Sequence, residues 1–173
     1  IDAILLLQDH DAGVTVVGAQ AVYLRSPRVF LGVAPATSDA DIVLNPQLIA
    51  NEPEISELME GASFELLDKD QPGLWSRQVQ FAGGLAPVGV DLLVPATFAG
   101  EGKRAARMPP HERKTARRVP GLEAAIVDRD RLTIAGFGDD GRSVEAWVAG
   151  PAALLVAKAY KLAERLGQAD HRP

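Results

Sequence analysis

The feature that most constrains the fold is a short β-branched run that stops at a glycine and passes straight into a helix-forming stretch. Val14-Thr15-Val16-Val17 reads as a strand ended by Gly18. Ala19 to Arg25 is a good helix former, halted before Pro27. Strand, tight glycine turn and helix together predict an α/β (α+β) chain with a mixed β-sheet flanked by helices.

The remaining elements are read from periodicity. Residues 1–9 carry apolar positions at helical spacing and look like the end of a helix. Asp39-Ala40-Asp41-Ile42-Val43-Leu44 reads as a second strand. Asn45-Pro46 is expected to end it and begin a helical stretch, and Glu54 to Gly61 gives another short helix. Between Phe64 and Pro95 lie strand-like runs broken by Pro72-Gly73 and Gly83-Gly84. The last of these, Val88 to Val94, is apolar except for Asp91. Three further strands are expected at 124–127, 132–135 and 143–148. Gly150-Pro151 then opens a helix reaching Leu166, with proline in the first turn where its missing N–H costs nothing. On that helix Leu155, Ala159, Leu162 and Leu166 form an expected core stripe, and Lys158, Lys161 and Arg165 share a neighbouring flank. The chain reads as one domain over 1–173, with residues 1–95 as the core and 96–173 as basic arm, hairpin strands and final helix.

Composition narrows the chemistry. The sequence has no cysteine, which removes disulfides and thiolate zinc sites and favours a reducing, cytoplasmic setting. Its three histidines are too scattered for metal-ligand spacing. Apolar runs such as Ile4 to Leu7 are far too short to span a membrane. Net charge is −5, unevenly spread: residues 103–118 hold seven of the 18 Lys and Arg and one of the 23 acids. An acidic body with one basic arm suits either a phosphate-bearing partner such as RNA or a solvated surface loop. The arm has no interleaved aromatics for stacking bases, so phosphate contact is the most it supports.

Three motif readings fail. Gly136 to Gly141 matches GxGxxG, but Arg142 to Val148 alternates polar and apolar residues like a strand, so the segment suits a hairpin turn better than a dinucleotide site. Gly102-Lys103 lacks the remainder of a P-loop. No G-x-S-x-G elbow is present.

One constellation survives. Asp39 and Asp41 lie two apart on a strand, so both side chains face one way. Paired carboxylates repel unless a cation lies between them, and all-oxygen ligands favour Mg²⁺ or Mn²⁺. Asp91 is the third candidate, because a charge inside an apolar strand requires a partner. Three such carboxylates could hold two ions for an in-line phosphoryl displacement. Gly18 exposes backbone N–H groups at a helix N-terminus, which suits a triphosphate. Taken singly, a D-x-D pair is more often polar decoration of a solvated surface, and a lone Asp in a strand is often a satisfied core residue.

Gly18-Ala19, Thr37-Ser38-Asp39-Ala40-Asp41, Val90-Asp91-Leu92 and the helix from Pro151 to Lys158 with Arg165 together resemble the nucleotidyltransferase superfamily. The likeness is to the polymerase β-like and minimal nucleotidyltransferases, and within them to bacterial AbiEii-type proteins of type IV toxin–antitoxin systems. It spans residues 14–166 through sparse motifs. The resemblance implies a nucleotidyltransferase fold, with Asp39, Asp41 and Asp91 as catalytic metal ligands and Asp91 helping to activate the attacking hydroxyl. It implies nucleotide contacts from Gly18, Ala19, Ser38 and Lys158, Mg²⁺ or Mn²⁺ as cofactor, an NTP as substrate and an antitoxin protein as partner. Ala19 stands where relatives carry Ser or Gly, and the longer interval to Asp39 implies an extra loop at 26–36. The function expected is transfer of a nucleoside monophosphate from an NTP to an acceptor hydroxyl. The alternatives are a non-catalytic nucleotide- or partner-binding domain of the same fold, and a plain interaction module.

Overall fold

A computed structural model describes residues 1–26, 39–68, 70–81, 83–136 and 141–169. In chain order the helices and strands are α1 (Asp2–Leu6), β1 (Val14–Val17), α2 (Gly18–Arg25), β2 (Asp39–Leu44), α3 (Ile55–Gly61), β3 (Glu65–Leu66), β4 (Leu74–Phe81), β5 (Gly84–Pro95), β6 (Arg117–Val119), β7 (Arg129–Ala135), β8 (Ser143–Ala149) and α4 (Pro151–Ala169). Two 3₁₀ turns, Gln8–Gly13 and Glu123–Ile126, join them.

All eight strands form one mixed, open sheet in the order β3-β4-β5-β2-β1-β8-β7, with β6 beside β5. This is an α+β architecture. β1 runs antiparallel to β2 and parallel to β8, and β2 runs parallel to β5. The C-terminal ends of β1 and β8 therefore lie at the same end of the sheet as the start of β2. Both strand-to-helix junctions, β1–α2 and β8–α4, open beside Asp39 and Asp41.

Strand alternation divides the core into two layers. Val14, Val16, Ile42, Leu44, Val90, Leu92, Val94 and Val148 point into the larger one, with Ile4 and Leu7 near the N-terminus and Ile55, Met59, Phe64 and Trp75. Val17, Val43, Leu93 and Ala149 point the other way, against Leu122, Ala125 and Ala153. By the same alternation Asp39 and Asp41 share the face of Val43, and Asp91 shares that of Leu93. The smaller core thus ends in carboxylates.

Four expectations are corrected. Residues 124–126 belong to the 3₁₀ turn Glu123–Ile126, which Val127 ends, rather than to a strand, because Ala125 and Leu122 fold down onto the second sheet face. After Asn45 the chain makes a single turn, with the Leu48 and Ile49 N–H groups donating to the Asn45 carbonyl, and no helix follows. The leucine stripe on α4 is not core: Leu155, Leu162 and Leu166 are 71%, 58% and 60% exposed. Ala153, Leu154 and Ala157 of α4 pack against the sheet side and Tyr160 lies on Gly121, so close packing is confined to the first half of the helix. Periodicity marks an apolar face without saying how far a neighbour extends along it. Finally, the basic arm contains a strand, β6, which pairs with β5 from Leu93↔Arg117 to Pro95↔Val119.

The expected helix at Gly150-Pro151 is present and its start is well determined. The Asp128 carboxylate accepts the Ala153 N–H at 2.7 Å, and the Asp128 carbonyl accepts that of Gly150. A Cβ on Gly150 would lie 2.1 Å from Asp128 Oδ1, so only glycine fits there. β7 and β8 pair from Arg129↔Ala149 to Ala135↔Ser143, which makes Ser143–Ala149 a strand where a dinucleotide motif would need a helix. The tip itself, 137–140, lies outside the described residues, as do Thr37, Ser38 and nearly all of the expected 26–36 loop. Among the described residues no helix is long and apolar enough to cross a membrane.

Candidate functional site

Strand register brings the predicted carboxylates together. Asp41 pairs with Asp91 across the parallel β2–β5 ladder, Asp39 pairs with Gly89, and Val17 pairs with Asp41 on the other side. Paired residues on adjacent strands lie about 5 Å apart at the backbone and point to the same face. Asp39, Asp41 and Asp91 therefore occupy one face of two neighbouring strands, although 50 residues separate the last two in sequence.

Burial and neighbouring charge raise the proton affinity of Asp41 and Asp91. Burial pushes the Asp41 carboxyl above the ordinary carboxylate range, and the charges of Asp91 and Asp39 push the same way, against the pull of Arg117. Asp91 is 8% exposed, and burial raises its carboxyl too, opposed by hydrogen bonds and charge from Arg117 and assisted by Asp39.

Gly18 closes the site from β1. Its φ is +65°, which L side chains rarely adopt, and a Cβ would lie 2.0 Å from Asp41 Oδ2. Glycine is required twice over: to turn the chain into α2, and to let the Asp41 carboxylate approach the backbone. The N-cap of α2 is Val17, whose side chain makes no capping hydrogen bond. Valine is among the poorest N-cap residues, so α2 presents its first N–H groups without the usual side-chain acceptor.

Val17, Gly18 and Asp41 border one cleft of about 580 Å³ that is also lined by Ala19, Lys158, Tyr160 and Lys161. Of the predicted nucleotide contacts, Gly18, Ala19 and Lys158 thus meet Asp41 across a common space, while Ser38 lies outside the described residues. Tyr160 is an addition that no sequence motif marks. Gly121, at φ +81°, lies beneath it, and a Cβ there would stand 2.4 Å from the ring. One aromatic surface is packed on backbone, and the residue remains 54% exposed.

Arg117 is the most consequential residue that sequence reasoning missed. Its Nε donates to Asp91 Oδ1 at 2.9 Å and its Nη2 donates to Asp91 Oδ2, a two-pronged guanidinium–carboxylate pair. The signal is present but indirect: a buried aspartate needs a cation, and the only dense supply of cations is the arm at 103–118. Arg25 was also missed. It donates to the Ala149 and Val148 carbonyls at 2.6 and 2.7 Å and pairs with Asp130, tying α2 to the β7–β8 hairpin.

A divalent ion can be weighed against this donor set. Asp39 and Asp41 offer oxygen ligands, and the repulsion that raises Asp41 is the kind a cation relieves. Asp91 is answered by Arg117 instead. Among the described residues no group of three or more His, Asp and Glu side chains stands ready to hold a metal ion. The chemistry of Asp39 and Asp41 fits Mg²⁺ or Mn²⁺; Asp91 would share its carboxylate between such an ion and Arg117.

No protein-family model matches the chain, and comparison with curated proteins and with solved structures gives no match.

Proposed function

We propose that the chain is a metal-dependent nucleotidyltransferase that moves a nucleoside monophosphate from an NTP to an acceptor hydroxyl. The observation that carries this reading is the Asp41↔Asp91 register with Gly18 packed against Asp41, because it sets the Asp41 carboxylate and the start of α2 on one cleft, with Asp91 beside Asp41 on the next strand. Carboxylates and a triphosphate are both anionic, so a site built for both needs cations between them. Asp39 and Asp41 are the residues suited to hold Mg²⁺ or Mn²⁺, which would neutralise charge on the phosphates.

The chain's own groups have defined tasks in this reading. N–H groups of Gly18 and Ala19 bind the triphosphate tail, and Lys158 faces it across the cleft. The acceptor hydroxyl oxygen bonds to the α-phosphorus as the bond to the β-phosphate oxygen breaks. Pyrophosphate leaves, and the hydroxyl proton passes to the Asp91 carboxylate. Catalysis on these terms is positioning and charge neutralisation. The reading extends to a nucleotidyltransferase fold, to a cytoplasmic setting in keeping with the absence of cysteine, and, through the AbiEii-type resemblance, to an antitoxin protein as partner.

The test is isothermal calorimetry with each NTP in the presence and absence of Mg²⁺ or Mn²⁺, followed by label transfer from α-phosphate-labelled NTP. Binding is expected to require the divalent ion, and Asp39→Ala or Asp41→Ala is expected to remove that requirement together with transfer. Unchanged, metal-dependent affinity in both variants would sink the assignment.

A second reading, a non-catalytic nucleotide-binding domain, is favoured by the Arg117–Asp91 pair, since an internal guanidinium already neutralises the third carboxylate. Metal-dependent NTP binding without transfer to any acceptor would select it.

A further inference from the structure

A second cleft, of about 440 Å³, is bordered by Arg117 and by Leu74, the β4 partner of Asp91. Its charged lining residues are Lys103, Arg104, Arg117 and Arg118, with no acidic residue among them, in a chain of net charge −5. Gln71, Pro72 and Leu74 supply the opposing wall. Arg117 and Arg118 border both clefts, so the two spaces adjoin across a pair of arginines.

The arm is built to hold this arrangement. Ala105 bridges Arg117 in antiparallel fashion, the Ala106 N–H donates to the Ala116 carbonyl at 3.0 Å, and the Arg118 N–H donates to the Arg104 carbonyl at 2.7 Å. The Trp75 indole N–H donates to the Thr115 carbonyl, and Ala106, Met108 and Ala116 are buried in the main core. The Arg118 guanidinium is held by the Gly102 and Gly100 carbonyls at 3.0 and 3.3 Å, and among the described residues no carboxylate pairs with it. Among the described residues neither the Lys103 nor the Arg104 side chain has a hydrogen-bond or ion-pair partner. Crowding like charges around a concavity costs free energy unless an anion enters it. Planar guanidinium forks match the oxygens of phosphate.

We propose that this cleft binds a phosphate group of the acceptor, so that the acceptor is a phosphorylated molecule whose hydroxyl reaches Asp91 past Arg117. The proposal rests on the transferase reading for the word acceptor; the phosphate site itself does not. Arg117 then has two functions: its guanidinium holds Asp91, and its flank, 44% exposed, faces the incoming phosphate.

The experiment uses the full chain, a fluorescently labelled single-stranded oligoribonucleotide and anisotropy measured over a range of salt concentrations, with inorganic phosphate as competitor. Lys103→Gln/Arg104→Gln changes two exposed, unpartnered side chains and leaves the folded arm intact. Arg113→Gln/Lys114→Gln removes the same charge from arm positions that do not border the cleft. The first variant is expected to weaken binding by on the order of tenfold or more. Its log–log salt slope should flatten by about 1.4, roughly 0.7 for each lost single-strand phosphate contact. The second variant should lose clearly less. Displacement by inorganic phosphate would identify a small monoester as sufficient ligand, and resistance to it a diester backbone; either supports the site. Equal losses in the two variants would overturn it in favour of diffuse attraction, as would no loss in the first.

Metal-dependent NTP binding, measured on the same proteins, separates this proposal from the transferase reading. Its absence in the unmodified chain, with oligonucleotide binding still lost in the first variant, removes the transferase and leaves the phosphate site. Its loss in the first variant, with oligonucleotide binding intact, assigns the cleft to the triphosphate and overturns the proposal.

Discussion

The carboxylate strip on β2 and β5 and the basic arm at 103–118 are both concentrations of charge, and the chain holds them by different means. The aspartates are placed by strand register: once β2 pairs with β5, Asp41 faces Asp91 and Asp39 follows two residues away on the same face. The arm has almost no regular structure beyond β6 and is held by scattered backbone hydrogen bonds, an indole and three buried apolar side chains. Charge counted along a sequence treats the arm as one object. The fold divides it, giving Arg117 to the carboxylates, Arg118 to backbone carbonyls, and Lys103 and Arg104 to a cleft.

The largest effect that would break this contrast is expected at Gly18. Gly18→Ala places a methyl group 2.0 Å from the Asp41 carboxylate at a φ of +65°. The left-handed conformation alone costs an alanine about 1–2 kcal/mol, and the clash adds to that. Chemical denaturation should show a loss of about 2 kcal/mol or more, and metal-dependent NTP binding should disappear with it. An unchanged midpoint with full binding would mean that the β1–α2 junction does not position the carboxylates.

A smaller effect is expected at the residue the two regions share. Arg117→Gln leaves Asp91 buried without its guanidinium. Because the arginine is nearly half exposed, the loss at neutral pH should be modest, about 1–2 kcal/mol. Its pH dependence has a definite sign. The folded-state Asp91 carboxyl already lies above its ordinary value through burial, and losing Arg117 raises it further. A raised acid binds its proton more tightly in the folded chain, so the deficit is greatest above the folded-state value, where Asp91 is ionised. It should close as pH falls through that value toward the unfolded carboxylate range. Denaturation midpoints of both proteins across this range provide the check, and a pH-independent gap would assign Arg117 a packing role.

The smallest effect sharpens the contrast from the other side. Arg113→Gln/Lys114→Gln alters two exposed residues of the arm and should leave stability within about 0.5 kcal/mol. A loss comparable to that of Arg117→Gln would show that the arm behaves as a single electrostatic unit after all.

Several parts of the molecule are legible in the amino-acid sequence alone. The strand–glycine–helix unit, the second strand with its two aspartates, the helix opening at Gly150-Pro151 and the strands flanking Asp139-Asp140 all depend on local rules, and each stands where those rules put it. Asp91 is legible as a charge in need of a partner. Residues 124–127 are not, because Ala-Ala-Ile-Val is apolar enough for either a strand or a tight turn. A second sheet face to cover decides between them.

The sequence by itself determined which residues could bear chemistry and which way each one faces, because side-chain alternation on a strand and the φ demanded of Gly18 are properties of a few consecutive residues. Tertiary structure alone decided that β2 adjoins β5, that Arg117 closes on Asp91, that Lys103 and Arg104 border a cleft, and that most of the α4 leucine face is exposed. Each of these depends on contacts between segments tens of residues apart. Their energies reside in burial and hydrogen bonding that no local pattern encodes.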